Sequence, residues 1–125
     1  MIQLLTQVNV ADNSGATKAK VIKILRPKNK KYGVLGDLVL VAIQKNNPHS
    51  KIRKGHIAKA ILIRSNKRVP LVSHTQLWDG NHVILVNTKG DDYLPIGSRI
   101  KGPISSKLKS IPGMQKILSI SKRTL

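Results

Sequence analysis

Three short apolar runs in the middle of this chain limit the folds that it can adopt. They occupy residues 38–43, 60–63 and 83–86 and consist mostly of Val, Ile and Leu. Each run is shorter than an average helix, and β-branched residues are enriched in strands. Turn-forming residues separate the runs, and the Asp79-Gly80 pair is a strong hairpin signal. The sequence therefore predicts a mostly β fold, either a small barrel or a sandwich, with these runs as its inner strands.

Residues 18–24 are expected to form a strand that bends. Polar and apolar side chains alternate along it, and the alternation changes phase near Val21, which predicts a β-bulge. A bulged strand suits the curved wall of a barrel. With 125 residues, of which 40% are hydrophobic, the chain can close a single core, so one domain spanning residues 1–125 is expected.

The last part of the chain, residues 103–125, is predicted to be a helical and extended appendage to this domain. Residues 104–111 can place their apolar side chains on one helical stripe, and the Pro112-Gly113 pair ends that stripe. The apolar residues within 116–120 predict a last strand near the end of the chain.

The charge of the chain indicates the class of its partner. Twenty-three Lys and Arg residues stand against five acids, all of them Asp, and the formal net charge is +18. A small domain with this charge repels itself, and a polyanion would relieve that repulsion. Nucleic acid is therefore the predicted partner. The preference for Lys, a flexible point charge, favours contacts to the phosphate backbone of RNA over recognition of its bases.

Two loops carry much of this charge. Residues 26–33 and 46–55 combine cations with Pro and Gly, and the second is expected to be a long hairpin that reaches beyond the barrel. Charged loops usually form only a solvated surface, but the near absence of acids favours phosphate contacts here. The predicted RNA-binding residues are Lys18, Lys20, Arg26, Lys28, Lys30, Lys31, Lys51, Arg53, Lys54, Arg64, Lys67 and Arg68.

Catalytic and metal-binding chemistry is not indicated by the sequence. The chain has no Cys, and its four His residues lack the spacing of metal ligands. Asp91 and Asp92 follow Gly90 in a predicted loop, and adjacent residues of a strand point to opposite faces, which argues against a shared acid–base site. We therefore expect no enzyme activity, no cofactor and no metal. A metal-dependent nuclease that uses Asp91 and Asp92 is a remote alternative.

Other nucleic-acid motifs and membrane signals are weak. Residues 33–36 have the GXXG spacing of a KH clamp, but they precede an apolar run and so indicate a turn. The aromatic residues Tyr32, Trp78 and Tyr93 are too few for a base-stacking platform.

No apolar run approaches the roughly 20 residues that cross a bilayer. The start of the chain lacks the pattern of a secretory signal or an organellar presequence.

Several segments resemble, in the same order, those of one protein family. The opening Met1-Ile2-Gln3 and residues 9–16, with the sequence Asn-Val-Ala-Asp-Asn-Ser-Gly-Ala, are the first of them. Further matching segments are Gly36-Asp37 and residues 48–55, 59–64, 79–81 and 95–104. Over nearly its full length the chain resembles the universal family of large-subunit ribosomal protein fourteen.

This resemblance implies both a fold and a role. The implied fold is a five-stranded β-barrel with a projecting β-hairpin and short C-terminal helices. The implied role is a structural one in translation: members bind large-subunit rRNA and help to form intersubunit bridges to small-subunit rRNA. Large-subunit ribosomal proteins three and nineteen are implied as neighbours, and the ribosomal silencing factor docks on bacterial and mitochondrial members. The residues assigned to the subunit-interface or silencing-factor face are Ser98, Arg99, Lys107, Lys109 and Lys116.

Some positions depart from the pattern of the family. His56 replaces a common acid, Trp78 stands where Phe or Tyr is usual, and residues 69–74 lack a charged Pro-Asp-Gly turn. Residues 105–109 have lost an expected Glu. Together with the excess of Lys, these departures predict an organellar member in the ribosome of the mitochondrial matrix, with the plastid stroma or the bacterial cytoplasm as alternatives. The alternative function is a free, OB-like RNA-binding factor that acts transiently on RNA.

Overall fold

The computed structural model of the protein describes residues 2–26, 31–66 and 78–125, and the backbone of residues 69–70 and 75–76. Eight strands precede a 3-10 helix and one α-helix in this part of the chain. The strands are β1 (Gln7–Val10), β2 (Ala16–Arg26), β3 (Leu38–Asn46), β4 (Ile57–Arg64), β5 (Val69–Pro70), β6 (Thr75–Gln76), β7 (His82–Lys89) and β8 (Asp92–Pro95). The 3-10 helix spans Ser106–Ser110, and α1 spans Gln115–Ile120.

Five of the strands form a closed ring. They lie in the order β1-β2-β3-β4-β7, with antiparallel neighbours, and a parallel pairing between β1 and β7 closes the ring. That closure is formed by Asn9 with His82 and by Val10 with Val83. β8 adds to the far end of β7, and β5 and β6 form a separate two-stranded sheet. The predicted mostly β fold with five principal strands is therefore confirmed.

The apolar runs of β4 and β7 are buried on both faces. Ala60 and Leu62 on β4 point into the ring and belong to its inner core. Ile61 and Ile63, between them, belong to a second core on the outside. The outer core is completed by Tyr93 on β8 and by side chains of residues 100–117. A strand covered on both faces has no reason to alternate, which explains the uniform composition of these runs.

The strand β2 bends where its side-chain pattern changes phase. Ala19, Val21 and Ile24 belong to the inner core. The register with β3 shifts between Val21 and Lys23, as well as at both ends of the strand. The predicted bulge near Val21 is therefore confirmed. In a regular strand, residues three apart point to opposite faces. Because of the shift, Lys20 and Lys23 instead both lie outside the ring.

The C-terminal segment is more helical than the sequence pattern predicted. Residues 116–120, predicted as a strand, form most of α1. The prediction was wrong because five residues are too few to distinguish the two-residue repeat of a strand from the 3.6-residue repeat of a helix. Met114 and Ile117 are buried and Leu118 is half-buried, which is helical spacing. The predicted stripe at 104–111 is a short 3-10 helix, where the Lys107 N–H donates to Ser105 Oγ.

The segment between β3 and β4 closes a hairpin between these two antiparallel strands. Their pairing reaches Ala42 opposite Ile57, and Ile43 continues it through backbone hydrogen bonds with Gly55 and His56. The Asn47 N–H donates to the carbonyl of Gly15 at 2.6 Å, and Asn46 Nδ2 donates to the carbonyl of Ile52 at 2.9 Å. The hairpin predicted here is therefore formed by β3, β4 and the segment that joins them, which is called the basic loop (residues 47–56). Within the described ranges, no helix is both long and apolar enough to cross a membrane.

Candidate nucleic-acid interface

A row of cations follows the outer side of β2. We call it the β2 cation row and define it as Lys18, Lys20, Lys23 and Arg26 together with Lys45 of β3. Lys18 and Lys20 are half-buried, so their stems pack on the sheet, and the other three side chains are exposed. At about 3.3 Å per residue, the row extends over roughly 25 Å.

No acid lies opposite the cations of β2 in either neighbouring strand. Lys20 has Gln7 of β1 on one side and Ala42 of β3 on the other. Lys18 has Asn9 on one side and a second cation, Lys45, on the other. Lys18 and Lys20 therefore have no opposite charge in register on either side within the sheet.

Two of the five acids are buried in the fold, and the other three are exposed near the ends of β7. Asp12 is 2% exposed and Asp37 is 8% exposed. Asp37 Oδ2 accepts from the Val34 N–H at 2.9 Å, in the turn that residues 33–36 form before β3. Asp79 and the pair at 91–92 are exposed, in the connections on either side of β7. The negative surface is thus confined to two loops.

Arg26 is held at the end of the β2 cation row. Its guanidinium carbon lies 5.7 Å from the centroid of the Tyr93 ring, which is buried in the outer core. A cation over an aromatic face is attracted by the ring quadrupole, so the stacking fixes this guanidinium. An ordered guanidinium loses less freedom when it binds a phosphate than a mobile one does.

The basic loop presents three predicted RNA-binding residues on the surface. Lys51, Arg53 and Lys54 are all exposed. The loop is supported from below, because Ile52 packs against the inner core. Ser50 Oγ donates a hydrogen bond within the loop, at 2.8 Å from the carbonyl of Asn47. The backbone of Gly15 leaves no room for a side chain there, since a Cβ would overlap the Ser50 side chain.

The predicted site residue Arg64 is bound to the protein itself. It is half-buried, and its Nη2 donates to the carbonyl of Lys101 at 2.8 Å. Burial lowers the pKa of Arg64 from its ordinary value. Across the sheet in register lies His82, whose pKa is lowered by burial and by the positive charge of Arg64. Arg64 therefore ties the end of β4 to residues 101–102.

The remaining predicted RNA-binding residues lie near the ends of described segments. Lys31 is exposed before Gly33, which exchanges two backbone hydrogen bonds with Ile2. Lys28, Lys30, Lys67 and Arg68 lie outside the described residues.

The residues predicted for the subunit-interface or silencing-factor face occupy two places in the fold. Ser98 and Arg99 are exposed in the loop after β8, here called the Ser98 loop (residues 96–99). Lys107 and Lys109 are exposed on the 3-10 helix, and Lys116 is exposed on α1. These two helices contact each other and cover the outer core.

A shallow cavity of about 340 Å³ joins the basic loop to the Ser98 loop. Its lining includes Lys51 and Ile52 on one side and Ile96 and Ser98 on the other. A residue predicted to contact RNA and a residue predicted to lie at the subunit interface are therefore neighbours.

Among the residues that the structure describes, no three His, Cys, Asp or Glu side chains are grouped as metal ligands.

Sequence reasoning missed several residues of these surfaces. Lys23 and Lys45 were not predicted, although the bulge near Val21 implies that Lys23 faces outward. Lys122 and Arg123 are exposed at the end of the chain, and the carbonyl of Arg123 accepts from the Ile104 N–H at 3.0 Å. Asn13 was not among the predicted site residues, yet its side chain bonds the backbone of Ser98 and Arg99. No local pattern could have shown that pairing.

The fold and its cationic surfaces agree with a comparison against known protein families. The sequence matches the family described as ribosomal protein L14p/L23e over residues 1–125. The ring of five strands, the unneutralised cations and this match lead to one conclusion: the chain belongs to the ribosomal protein L14p/L23e family.

Proposed function

We propose that the chain, as a structural constituent of the large ribosomal subunit, is anchored on large-subunit rRNA by the β2 cation row and the basic loop. Its family supports a structural place in that subunit and association with rRNA. The cations of these two surfaces would neutralise phosphates. Each such contact releases counterions, so binding weakens as salt rises.

One observation carries this proposal: the cations of β2 have no acid in register on either neighbouring strand. In a protein whose charges served only solubility, both signs would be interspersed on the surface. Here the register partners of Lys18 are Asn9 and Lys45, and those of Lys20 are Gln7 and Ala42. The positive charges of such a row would be compensated by a polyanion that binds to the protein.

The basic loop extends the same surface. It begins directly after β3, whose last two residues are Lys45 and Asn46, and it is bound to the turn before β2 by the hydrogen bond from Asn47 to Gly15. The cations of the loop therefore start where the β2 cation row ends. A rigid surface of this kind suits recognition of RNA shape and backbone, because phosphate contacts position the protein without reading sequence.

We propose further that the Ser98 loop and the two C-terminal helices face the small subunit. Ser98, Arg99, Lys107, Lys109 and Lys116 would contribute to an intersubunit bridge with small-subunit rRNA, or receive the silencing factor. Large-subunit ribosomal proteins three and nineteen are the proposed neighbours. These assignments follow from the resemblance of residues 95–104 to the family and from the exposure of the five side chains.

The ribosome that contains this chain is proposed to be mitochondrial. The support is the drift at His56, Trp78 and residues 105–109, together with the absence of Glu. Sequencing the DNA around the gene tests this, because an organellar genome has recognisable neighbouring genes and codon usage. A chromosomal bacterial context would contradict the proposal.

The anchoring role is tested by reversing charge on the β2 cation row. The double variant Lys20→Glu with Lys23→Glu should fold but fail to enter large subunits, since it sets two acids against rRNA phosphates. The measurement is the amount of the variant that sediments with large particles in a salt gradient. The protein remains folded if its circular dichroism and thermal transition match those of the wild type.

A charge-matched control shows whether incorporation depends on the position of the two Lys residues or only on the net charge of the protein. Lys107→Glu with Lys109→Glu lowers the net charge by the same amount on the 3-10 helix. This control should still enter large subunits. Equal incorporation of both double variants would contradict the proposal. Complete loss of wild-type protein from the particles in high salt would instead support a transient RNA-binding factor.

A further inference from the structure

Asn13 makes three hydrogen bonds to a loop that lies far away in sequence. Its Oδ1 accepts from the backbone N–H of Ser98 at 2.8 Å and from that of Arg99 at 3.1 Å. Its Nδ2 donates to Ser98 Oγ at 2.9 Å. A single side chain thus binds two consecutive backbone amides and the hydroxyl between them. This set fixes the path of the Ser98 loop, since each bond constrains the same short segment.

The turn that carries Asn13 is itself fixed to the ring. The preceding residue, Asp12, is buried, and its Oδ2 accepts from the Leu85 N–H at 3.0 Å in the middle of β7. Its Oδ1 accepts from the N–H of Ser14 at 3.1 Å and from the Ser14 hydroxyl. The Asn13 side chain therefore projects from a turn that is hydrogen-bonded to the ring, and it connects the Ser98 loop to that turn.

The Ser98 loop lies so close to Asn13 that position 97 has no room for a side chain. A Cβ on Gly97 would lie 2.6 Å from Asn13 Oδ1 and 3.1 Å from Asp12 Cβ. The first of these distances is shorter than real Cβ contacts allow, so an alanine there would force the Asn13 amide and the loop apart. Gly97 and Asn13 are therefore two parts of one arrangement.

We propose that Asn13 is the positioning residue of the surface formed by Ser98 and Arg99. It holds the backbone from which these two exposed side chains reach their partner. The inference rests on the proposed function, in which this surface faces small-subunit rRNA at an intersubunit bridge. The amide group suits the task because one oxygen can accept two N–H groups while the nitrogen donates to a hydroxyl. Ala keeps none of these bonds.

The same turn also supports the basic loop. The carbonyl of Gly15 accepts from the Asn47 N–H, and Asn13 and Ser14 line the cavity that Lys51 shares with Ser98. The turn at residues 12–15 therefore sets the spacing between a surface proposed for large-subunit rRNA and a surface proposed for the small subunit. Loss of Asn13 should affect only the second of these, because the Gly15 contact is made by backbone atoms.

The experiment compares entry into large subunits with joining of the two subunits. Particles carrying Asn13→Ala, Arg99→Ala or both changes are separated on gradients at limiting Mg²⁺, and the joined fraction is measured. Asn13→Ala should enter large subunits as well as the wild type and lower the joined fraction by about the same factor as Arg99→Ala. If Asn13 acts by placing Arg99, the double variant should be no worse than the poorer single variant. Independent, multiplying losses would overturn the proposal.

Two further variants test whether the effect of Asn13→Ala is specific to the contact between Asn13 and the Ser98 loop. Asn87→Ala removes an exposed amide from β7 and should leave joining unchanged. Gly97→Ala leaves Asn13 intact but displaces the loop, so it should reproduce the defect of Asn13→Ala. Normal joining by Gly97→Ala particles would contradict the positioning role even if Asn13→Ala failed to fold.

Hydrogen exchange separates this proposal from the proposed function. In the isolated protein, Asn13→Ala should speed exchange of the Ser98 and Arg99 amides by roughly five- to tenfold, because each loses its acceptor. Unchanged exchange would overturn the positioning role. If exchange rises but Arg99→Ala has no effect on subunit joining, the positioning role stands and the proposed bridge at Arg99 fails.

Discussion

Lys18 of β2 and Lys45 of β3 are direct register partners, so two positive charges face each other across the sheet. The opposite neighbour of Lys18 is Asn9, which offers no compensating charge. Like charges directly opposite destabilise a sheet. The isolated protein therefore carries an electrostatic cost at this position, and a phosphate placed between the two ammonium groups would remove it.

The first prediction is that Lys45→Gln stabilises the free protein and weakens its binding to RNA. Removing one of two facing charges should raise the free energy of unfolding by about 0.2–1 kcal/mol. The same change should remove one phosphate contact and lower the salt dependence of RNA binding by roughly 0.7–0.9 in log–log slope. Urea unfolding and RNA binding at several salt concentrations are the measurements.

Lys89→Gln is the matched control for this prediction. Lys89 is the register partner of Asp92 in the β7–β8 hairpin, so it faces an opposite charge. The same substitution should therefore lower the free energy of unfolding slightly, and should leave RNA binding nearly unchanged. A change of the same sign in both variants would show that total charge, and not the facing pair, sets the stability.

The second prediction concerns pH and depends on His82. Its pKa is lowered by burial and by the positive charge of Arg64, against smaller opposing effects of a hydrogen bond with the Gly80 backbone and of Asp79. The unfolded chain therefore binds a proton at this residue, at pH values near 6.5, more readily than the folded protein does. Stability rises with pH wherever the unfolded state binds more protons, so it should fall as pH is lowered through about 6.5 and level off below the folded pKa.

The measurement is the thermal midpoint between pH 8 and pH 5 for the wild type and for His82→Gln. His82→Gln should flatten the loss of stability in the range just below about pH 6.5. If His82→Gln retains the full loss, the pH dependence has another source.

The inner strands could be predicted because their signal is local. Residues 38–43, 60–63 and 83–86 are apolar and β-branched, and the bulge near Val21 follows from a change of phase within a few residues. The position of the second core could not be predicted. Uniform apolar runs require cover on both faces, but nothing in their sequence says that residues 100–117 supply it.

The candidate site was predictable in its charge and not in its geometry. An excess of cations identifies a polyanion partner, and on that basis the cations of the basic loop and those of β2 other than Lys23 were recognised. Two features escaped because they depend on long-range contacts. Asn47 of the basic loop bonds the carbonyl of Gly15, and Asn13 binds residues that lie 85 and 86 positions later. A pattern read within a short window cannot contain such pairs.

The third prediction is that the buried carboxylate of Asp12 stabilises the fold far more than an exposed acid does. Asp12→Ala removes three accepted hydrogen bonds and leaves the buried N–H of Leu85 without its acceptor. An unsatisfied buried donor costs about 1–3 kcal/mol, and bonds to a charged acceptor are the stronger kind, so a loss of roughly 2–3 kcal/mol is expected. Asp91→Ala changes the net charge equally on an exposed turn and should cost less than about 0.5 kcal/mol. Urea unfolding of both variants gives the comparison, and similar midpoints would show that Asp12 matters only through its charge.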